Sequence, residues 1–297
     1  MKRILPMKIL SVFTRVALLI CAHAAAALAA DVNAVSPHES AASSAHALDS
    51  ATMRLHRLHH LDVKLSTDAA DLRARCRYES EISTVAPAKV LALTFDDGPE
   101  PVQTEHILEV LKRHHIKATF FMIGEQVKKY PELVAKVTAD GHHLIANHSW
   151  DHPNFHSIDV ADQTLQVGKT EQELAASMTQ KFFRYPYGNS TCETNDHLHK
   201  LGYKIVGWHI DSCDWAFDKS GGVDAKEAAT CGVLPQYEKD YVGHVLSAMR
   251  AHNGGIVLMH EIHPNTLKKL EEIIELALAD GYSFDSIDAA EFVGAMR

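Results

Sequence analysis

Hydrophobic and polar positions alternate in regular blocks along the chain from about residue 87 onward. The apolar, β-prone run VLALTFD predicts a buried strand, and TEHILEVLKRHH after it places Ile107, Leu108 and Leu111 at helical spacing. The alternation of strand-like and helix-like segments continues. The further strand-like runs are KATFFMIG, HHLIANH, KFFRYPYG, YKIVGWHID, GGIVLMH and YSFDSID, with helix-like segments such as EQVKKYPELVAKVTAD between them. Seven predicted strands in roughly 210 residues indicate an α/β fold, either a parallel barrel or a doubly wound sheet.

Polar clusters follow five of these strands at their C-terminal ends. DDGP follows the first predicted strand, NHSWDH the third, RYPYG the fourth, DSCDW the fifth and MHEIH the sixth. In both candidate architectures the C-terminal ends of the strands meet at one rim, where active sites lie. We therefore expect these clusters to converge, although they are far apart in sequence.

The first 85 residues follow a different pattern. A basic start, MKRILPMK, precedes an apolar run and the small residues Ala27 to Ala29, which predicts an export signal over residues 1–30. Arg15 interrupts the apolar run and disfavours a permanent span, so we expect an exported chain, periplasmic or secreted, without a stable membrane span. Residues 31–85 begin with an Ala/Ser-rich lead-in and continue with apolar residues at helical spacing, which predicts an accessory helical segment.

Composition narrows the possible partners. The formal net charge of −9 argues against nucleic acid, which usually demands a basic face. With 21 histidines in the chain, pairs such as His56 and His60 arise by chance and carry little weight alone. Export permits disulfides, but sequence does not choose among the three pairings that four cysteines allow, nor does it give the oligomeric state. The cysteines beyond the predicted signal are Cys76, Cys192, Cys213 and Cys231.

A candidate metal site combines two of these histidines with an aspartate. His148 and His152 have i,i+4 spacing, which on a helical turn would place both imidazoles on one side of one ion. Asp97 could supply an anionic third ligand. Two His and one carboxylate leave positions open on zinc or a similar divalent ion such as cobalt, which is typical of a catalytic site. For the adjacent Asp96 and Asp97 the alternative is a solvated Asp-Gly turn.

Five motifs taken together are more specific than any one of them. TFDDGP, NHSWDH, RYPYG, DSCDW and LMH, in that order, closely resemble the motifs of the polysaccharide deacetylases, also called NodB-homology or carbohydrate esterase family 4 enzymes. The resemblance covers residues 86–297 and implies an α/β fold, a distorted (β/α)7-type barrel, here with an N-terminal helical extension. It implies metal-dependent hydrolysis of N-acetyl groups on an extracellular or periplasmic polysaccharide, with release of acetate. The polymer stays open among peptidoglycan, chitin-like glycans and acetylated xylan, and a noncatalytic glycan-binding barrel is the alternative from a different class.

The resemblance also assigns roles on one side of the reaction. Asp97, His148 and His152 would bind the metal, and Asp96 would act as general base toward the attacking water. Arg184 would pair with Asp96, and the alternative for it is a structural ion pair. The backbone N–H of Tyr187 would hold the developing oxyanion and contact the substrate; the alternative for this side chain is a packing aromatic.

The remaining roles concern the leaving group and the sugar. His260 would be the general acid that protonates the leaving nitrogen, and Asp214 would orient and charge it. Leu258 and Trp215 would line the acetyl pocket and the sugar platform, although Trp215 could equally belong to the core. Cys213 and Cys192 depart from the family pattern close to catalytic positions; a free thiol there could compete for the metal, and a disulfide would prevent that.

Overall fold

The structure, a computed structural model, describes residues 85–139 and 143–296. The predicted export signal and all but the last residue of the predicted lead-in and accessory segment lie outside these residues. The described part of the chain contains no helix with the length and apolar character that crossing a bilayer requires.

Within residues 85–139 and 143–296, eight parallel strands form one curled sheet, in the order β5-β4-β3-β2-β1-β7-β6, with β8 paired to β1. The strands are β1 (Val90–Asp96), β2 (Ala118–Met122), β3 (Leu144–Asn147), β4 (Phe182–Phe183), β5 (Lys204–Ile205), β6 (Ile210–Asp211), β7 (Gly255–His260) and β8 (Ser283–Phe284). Within the described residues no ladder joins β5 to β6, so the barrel is open between them. This arrangement confirms the predicted α/β fold of the distorted barrel type.

Helices follow most of the strands and return the chain to the opposite edge of the sheet. They are α1 (Gln103–His114), α2 (Gly124–Lys129), α3 (Pro131–Ala139), α4 (Val160–Leu174), α5 (Cys192–Lys200), α6 (Asp214–Ser220), α7 (Ala225–Cys231), α8 (Tyr241–His252) and α9 (Pro264–Ala279). In the described part of the chain, short 3-10 segments lie at Phe155–Ser157, Pro186–Gly188, Pro235–Tyr237 and Ala290–Ala295.

Side chains of β1 alternate between two buried clusters. Leu91, Leu93 and Phe95 belong to the large core that also takes in α1, α8 and α9, whereas Ala92 belongs to a smaller cluster with residues of β2, β3 and β7. Because successive residues of a strand point to opposite faces, Asp96 shares the face of Ala92, away from the large core. The sequence of β1 thus delivers a carboxylate to the inner face, at the end of the strand.

The run YKIVGWHID, predicted as one strand, forms two. β5 and β6 are separated by residues 206–209, so the sheet has eight strands rather than the seven expected. The guanidinium of Arg184 donates to the carbonyl oxygens of Val206 (3.2 Å) and Gly207 (3.1 Å). A side chain buried in the site therefore engages backbone groups at the break in the run.

The segment EQVKKYPELVAKVTAD, predicted as one helix, is also divided. α2 ends at Lys129 and α3 begins at Pro131, with Tyr130 between them at φ −130° and ψ 57°. A proline lacks the N–H that an interior helical position would donate and disfavours helical geometry in the preceding residue. The chain therefore turns here and starts a new helix with proline at its first position.

Candidate active site and metal centre

The polar clusters predicted to converge do meet at one rim of the sheet. The strand register aligns Asp96, the last residue of β1, with His260, the last residue of β7. The loop after β3 brings His148 to within 3.6 Å of Asp96, measured from Nε2 to Oδ2. Residues separated by more than 160 positions thus lie side by side at one rim of the sheet, because parallel strands end at the same edge.

Asp97, His148 and His152 point their ligand atoms at one another. The Oδ1 atom of Asp97 lies 3.5 Å from Nε2 of His148 and 3.4 Å from Nε2 of His152. These three side chains form a group that could hold a metal ion. The structure therefore brings together the three residues that the sequence selected as ligands.

Three further observations test whether a cation fits. Asp97 Oδ1 is buried and accepts no hydrogen bond from the described residues, an arrangement that is costly for a carboxylate unless a cation compensates it. The other nitrogen of His148, Nδ1, lies 2.8 Å from the carbonyl oxygen of Arg184, which leaves Nε2 free to ligate. Burial, together with the neighbouring His152, lowers the pKa of His148 to about 3, so the imidazole is neutral, as metal ligation requires. The donor set fits a divalent metal.

The predicted helical turn between His148 and His152 is wrong, although the pair meets as expected. Ser149 and His152 have positive φ angles of 71° and 59°, and the segment is an irregular loop. The Asn147 side chain accepts a hydrogen bond from Ser149 N at 2.9 Å, and the Ser149 hydroxyl accepts one from His152 N at 3.2 Å. A local side-chain turn, rather than a helix, brings the two rings together.

Asp96 and Arg184 form a buried ion pair. Arg184 Nη1 lies 2.7 Å from Asp96 Oδ1 and 2.8 Å from the hydroxyl of Thr94, and both charged side chains are almost fully buried. Burial raises the pKa of the Asp96 carboxyl, while Arg184 opposes that rise. The arginine therefore keeps a desolvated carboxylate in place beside the metal-ligand group.

His260 and Asp214 form a second pair at the end of the neighbouring strand β7. His260 Nδ1 lies 2.7 Å from Asp214 Oδ1, and Asp214 also accepts from the backbone N–H of His260 (2.7 Å) and the hydroxyl of Thr266 (2.6 Å). Burial alone would lower the pKa of His260, but the Asp214 carboxylate raises it to about 10. Burial likewise opposes ionisation of Asp214, yet His260 holds the pKa of Asp214 below its usual value. The imidazole is therefore positioned and protonated at neutral pH.

The three residues predicted to contact substrate lie in different surroundings. Tyr187 is 64% exposed, and its ring meets that of His152 edge-on with 4.7 Å between centroids. Leu258 is buried in β7, in register with Thr94 of β1. Trp215 is partly buried against the large core and is the second residue of α6, directly after Asp214. Of the three, Tyr187 offers the most open surface.

Cys213 and Cys231 form a disulfide, one of the pairings that the sequence left open. Cys192 is disulfide-bonded as well. Neither cysteine close to the predicted catalytic positions is therefore a free thiol that could compete for a metal. The Cys213–Cys231 bond joins two positions that are 18 apart in sequence, and Cys213 directly precedes Asp214.

Sequence reasoning missed several residues that shape the site. Thr94 and Thr266 donate or accept the hydrogen bonds that hold Arg184 and Asp214. Glu261 is fully buried next to the general-acid candidate. Burial, together with nearby acids such as Asp97, raises the pKa of Glu261 to about 8, although the hydrogen bond from Thr104 opposes that rise. The only sequence signal for Thr94 and Glu261 was a polar side chain within or directly after an apolar strand, and Thr266 lies inside α9 without such a signal.

Comparison with known proteins identifies the family. The family model described as polysaccharide deacetylase matches residues 84–206. The peptidoglycan-N-acetylglucosamine deacetylase PgdA of Listeria monocytogenes is 33% identical over 233 residues, which cover 76% of this chain and 45% of that protein. The chain thus spans less than half the length of this relative.

Solved structures agree with that match. The crystal structure of the Bc1960 peptidoglycan N-acetylglucosamine deacetylase aligns with a TM-score of 0.57 and 30% identity, over 71% of this chain and 91% of that chain. A protein from Bacillus anthracis described as a pseudoenzyme of the CE4 family aligns with a TM-score of 0.54 and 25% identity, over 67% of this chain and 64% of that chain. This chain belongs to the polysaccharide deacetylase family. Since the fold also occurs in a protein described as a pseudoenzyme, activity has to be argued from the residues of the site.

Proposed function

We propose that the protein is a metal-dependent hydrolase that removes N-acetyl groups from a polysaccharide rich in N-acetylglucosamine and releases acetate. The observation that carries this proposal is that a carboxylate and a protonated imidazole, each held by a buried partner of opposite charge, lie beside one metal-ligand cluster. Asp96, paired with Arg184, stands on one side of Asp97, and His260, charged by Asp214, stands in the neighbouring strand. An amide hydrolase needs such a base and such an acid within reach of one carbonyl group.

The residues would divide the work as follows. Asp97, His148 and His152 would hold a divalent metal. Two imidazoles and one carboxylate favour zinc, and cobalt could replace it. Bound there, the cation would supply electrophilic activation of water and of the acetyl carbonyl. Asp96 would accept a proton from the attacking water, since Arg184 keeps its carboxylate oriented at 2.7 Å.

The leaving group requires the second pair. His260 would donate its proton to the amine nitrogen as the carbon–nitrogen bond breaks, because Asp214 keeps the imidazole charged. The backbone N–H of Tyr187, in a turn with φ 57° and ψ 8°, would donate to the developing oxyanion. Leu258 and Trp215 would line the acetyl group and the sugar ring, and the exposed ring of Tyr187 would contact the glycan.

Peptidoglycan is the first substrate to test, because two of the relatives are described as peptidoglycan deacetylases. A periplasmic or extracellular location would follow from that substrate and from the predicted export signal. A chitin-like glycan and acetylated xylan would use the same catalytic groups. The alternative is a noncatalytic glycan-binding barrel, because one structural relative is described as a pseudoenzyme.

The test is acetate release by the purified protein from defined glycans: N-acetylglucosamine oligomers, peptidoglycan and acetylated xylan. We expect release from at least one of the N-acetylated polymers, loss of release with a chelator, and recovery on adding zinc or cobalt. Glycan binding without acetate release from any of these polymers, with either metal present, would refute the hydrolase and support the binding barrel. Acetate release from xylan alone would show that the substrate is acetylated xylan rather than a polymer of N-acetylglucosamine.

A further inference from the structure

Glu261 is a buried acidic side chain for which the proposed chemistry has no use. It is 0% exposed and directly follows His260 at the end of β7. Its backbone N–H donates to the carbonyl oxygen of Asp96 at 3.0 Å, which continues the ladder between β7 and β1 by one residue. Burying a carboxyl group costs free energy, so contacts with neighbouring groups must offset this cost.

The side chain of Glu261 lies against the turn that follows Asp97. A Cβ atom built on Gly98 would lie 1.8 Å from Glu261 Oε1, so the carboxyl occupies the space that any side chain at position 98 would need. Gly98 is not among the glycines with positive φ, and its backbone conformation therefore does not demand glycine. Contact with Glu261 is what excludes a side chain at this position.

A second contact fixes the other carboxyl oxygen. The Thr104 hydroxyl donates to Glu261 Oε2 and accepts a hydrogen bond from the backbone N–H of Glu100 at 2.8 Å. Glu261 therefore touches the segment from Asp96 to Thr104 at its beginning, at Gly98 and at its end. That segment contains both the base candidate Asp96 and the ligand candidate Asp97.

We propose that Glu261 is a positioning residue that holds the turn after β1, and with it the carboxylates of Asp96 and Asp97, in the geometry that the metal site needs. The inference rests on the proposed function only where it concerns catalytic activity. Its claims about the structure of the segment after β1 and about metal binding do not depend on that function. Shape and the Thr104 hydrogen bond carry the role, so a glutamine, which has the same shape and can accept that bond, should replace the glutamate.

The experiment compares E261A, E261Q and G98A with the parent chain, and uses T119V as the matched control. Thr119 is also fully buried and polar on a neighbouring strand, and its hydroxyl has no hydrogen-bond partner among the described residues. The first measurement is the Kd for cobalt(II) by chelator competition, with the visible spectrum of the bound ion as a signature of ligand geometry. The second is hydrogen exchange of residues 96–104 in the metal-free protein, which depends on neither metal nor substrate.

We expect E261A and G98A to weaken cobalt binding ~10–100-fold, as loss of a group that orients a metal ligand does, and to speed exchange over residues 96–104. E261Q and T119V should match the parent in both measurements. Should E261A fail to fold, G98A decides, because it keeps Glu261 and adds one methyl group. A parent-like Kd and exchange rate in both E261A and G98A would overturn the inference.

Failure of the proposed function gives a different pattern of results. A parent protein that binds cobalt but releases no acetate would refute the hydrolase, and the binding and exchange data would still decide the role of Glu261. A parent protein that binds no cobalt would refute the metal site, and exchange over residues 96–104 alone would then support or overturn the positioning role.

Discussion

The replacement of Asp214 by asparagine tests the acid side of the proposed reaction. Asparagine keeps the size of the side chain and removes the charge that faces His260 at 2.7 Å. A general acid works only while protonated, so activity is present below its pKa and is lost above it. With Asp214 in place the pKa of His260 is about 10. The alkaline limb of kcat/KM in the parent should therefore not be set by this group until the pH approaches that value.

Without the carboxylate, burial is the main influence left, and it lowers the pKa of His260. If the pKa falls only to the ordinary histidine value of ~6.5, about 3% of the imidazole is protonated at pH 8. Activity at pH 8 should then drop ~30-fold from protonation alone. At pH 6 about 76% of the imidazole is protonated again, so the loss from protonation should be only ~1.3-fold.

The assay is acetate release as a function of pH, with kcat/KM for the parent and D214N measured at saturating metal. D240N is the matched control, since Asp240 also accepts a backbone hydrogen bond, from Gly243 N at the start of α8, away from the site. We expect the alkaline limb of D214N to move to lower pH and that of D240N to stay. An unmoved limb in a folded D214N would refute the assignment of Asp214 as the residue that charges His260.

Three further predictions concern the base, the buried ion pair and the disulfide. D96N should bind cobalt as the parent does and lose at least ~100-fold in kcat, the usual contribution of a general base; unchanged turnover would refute the base assignment. R184M leaves the Asp96 carboxylate buried without its partner, so the free energy of unfolding in urea should fall by ~3–5 kcal/mol, and an unchanged midpoint would contradict the buried pair. Replacing Cys213 and Cys231 together by alanine should cost ~3 kcal/mol of unfolding free energy, and a double variant as stable as the parent would show that the bond contributes nothing.

The sequence predicted the long strands well because their signal is local. β1, β2, β3 and β7 are continuous apolar runs, and each was found where the run predicted it. The strands β4, β5, β6 and β8 have two residues each, and their limits depend on distant contacts. The break between β5 and β6, where Arg184 binds two backbone carbonyls, cannot be read from periodicity.

The residues of the candidate site that belong to sequence motifs could be predicted. The loop conformations and the burial that depend on long-range packing could not. Asp97, His148 and His152 meet as expected, but the loop that joins the two histidines is shaped by Asn147 rather than by helical spacing. Glu261 gave no sequence signal beyond a charge after a strand, since its burial depends on Gly98, which is 163 positions earlier. Pairing of Cys213 with Cys231 depends in the same way on the path of the folded chain.

Asp96 and His260 are aligned across two neighbouring strands, so the proposed reaction depends on the correct register of β1 and β7. A slip of one residue between β1 and β7 would turn one of these side chains toward the helices and separate the proton acceptor from the proton donor. Such a misfolded chain could regain its helix content and still be inert. Recovery of turnover after dilution from denaturant would therefore report native strand pairing, the slow long-range event in a parallel sheet, more sharply than far-ultraviolet circular dichroism.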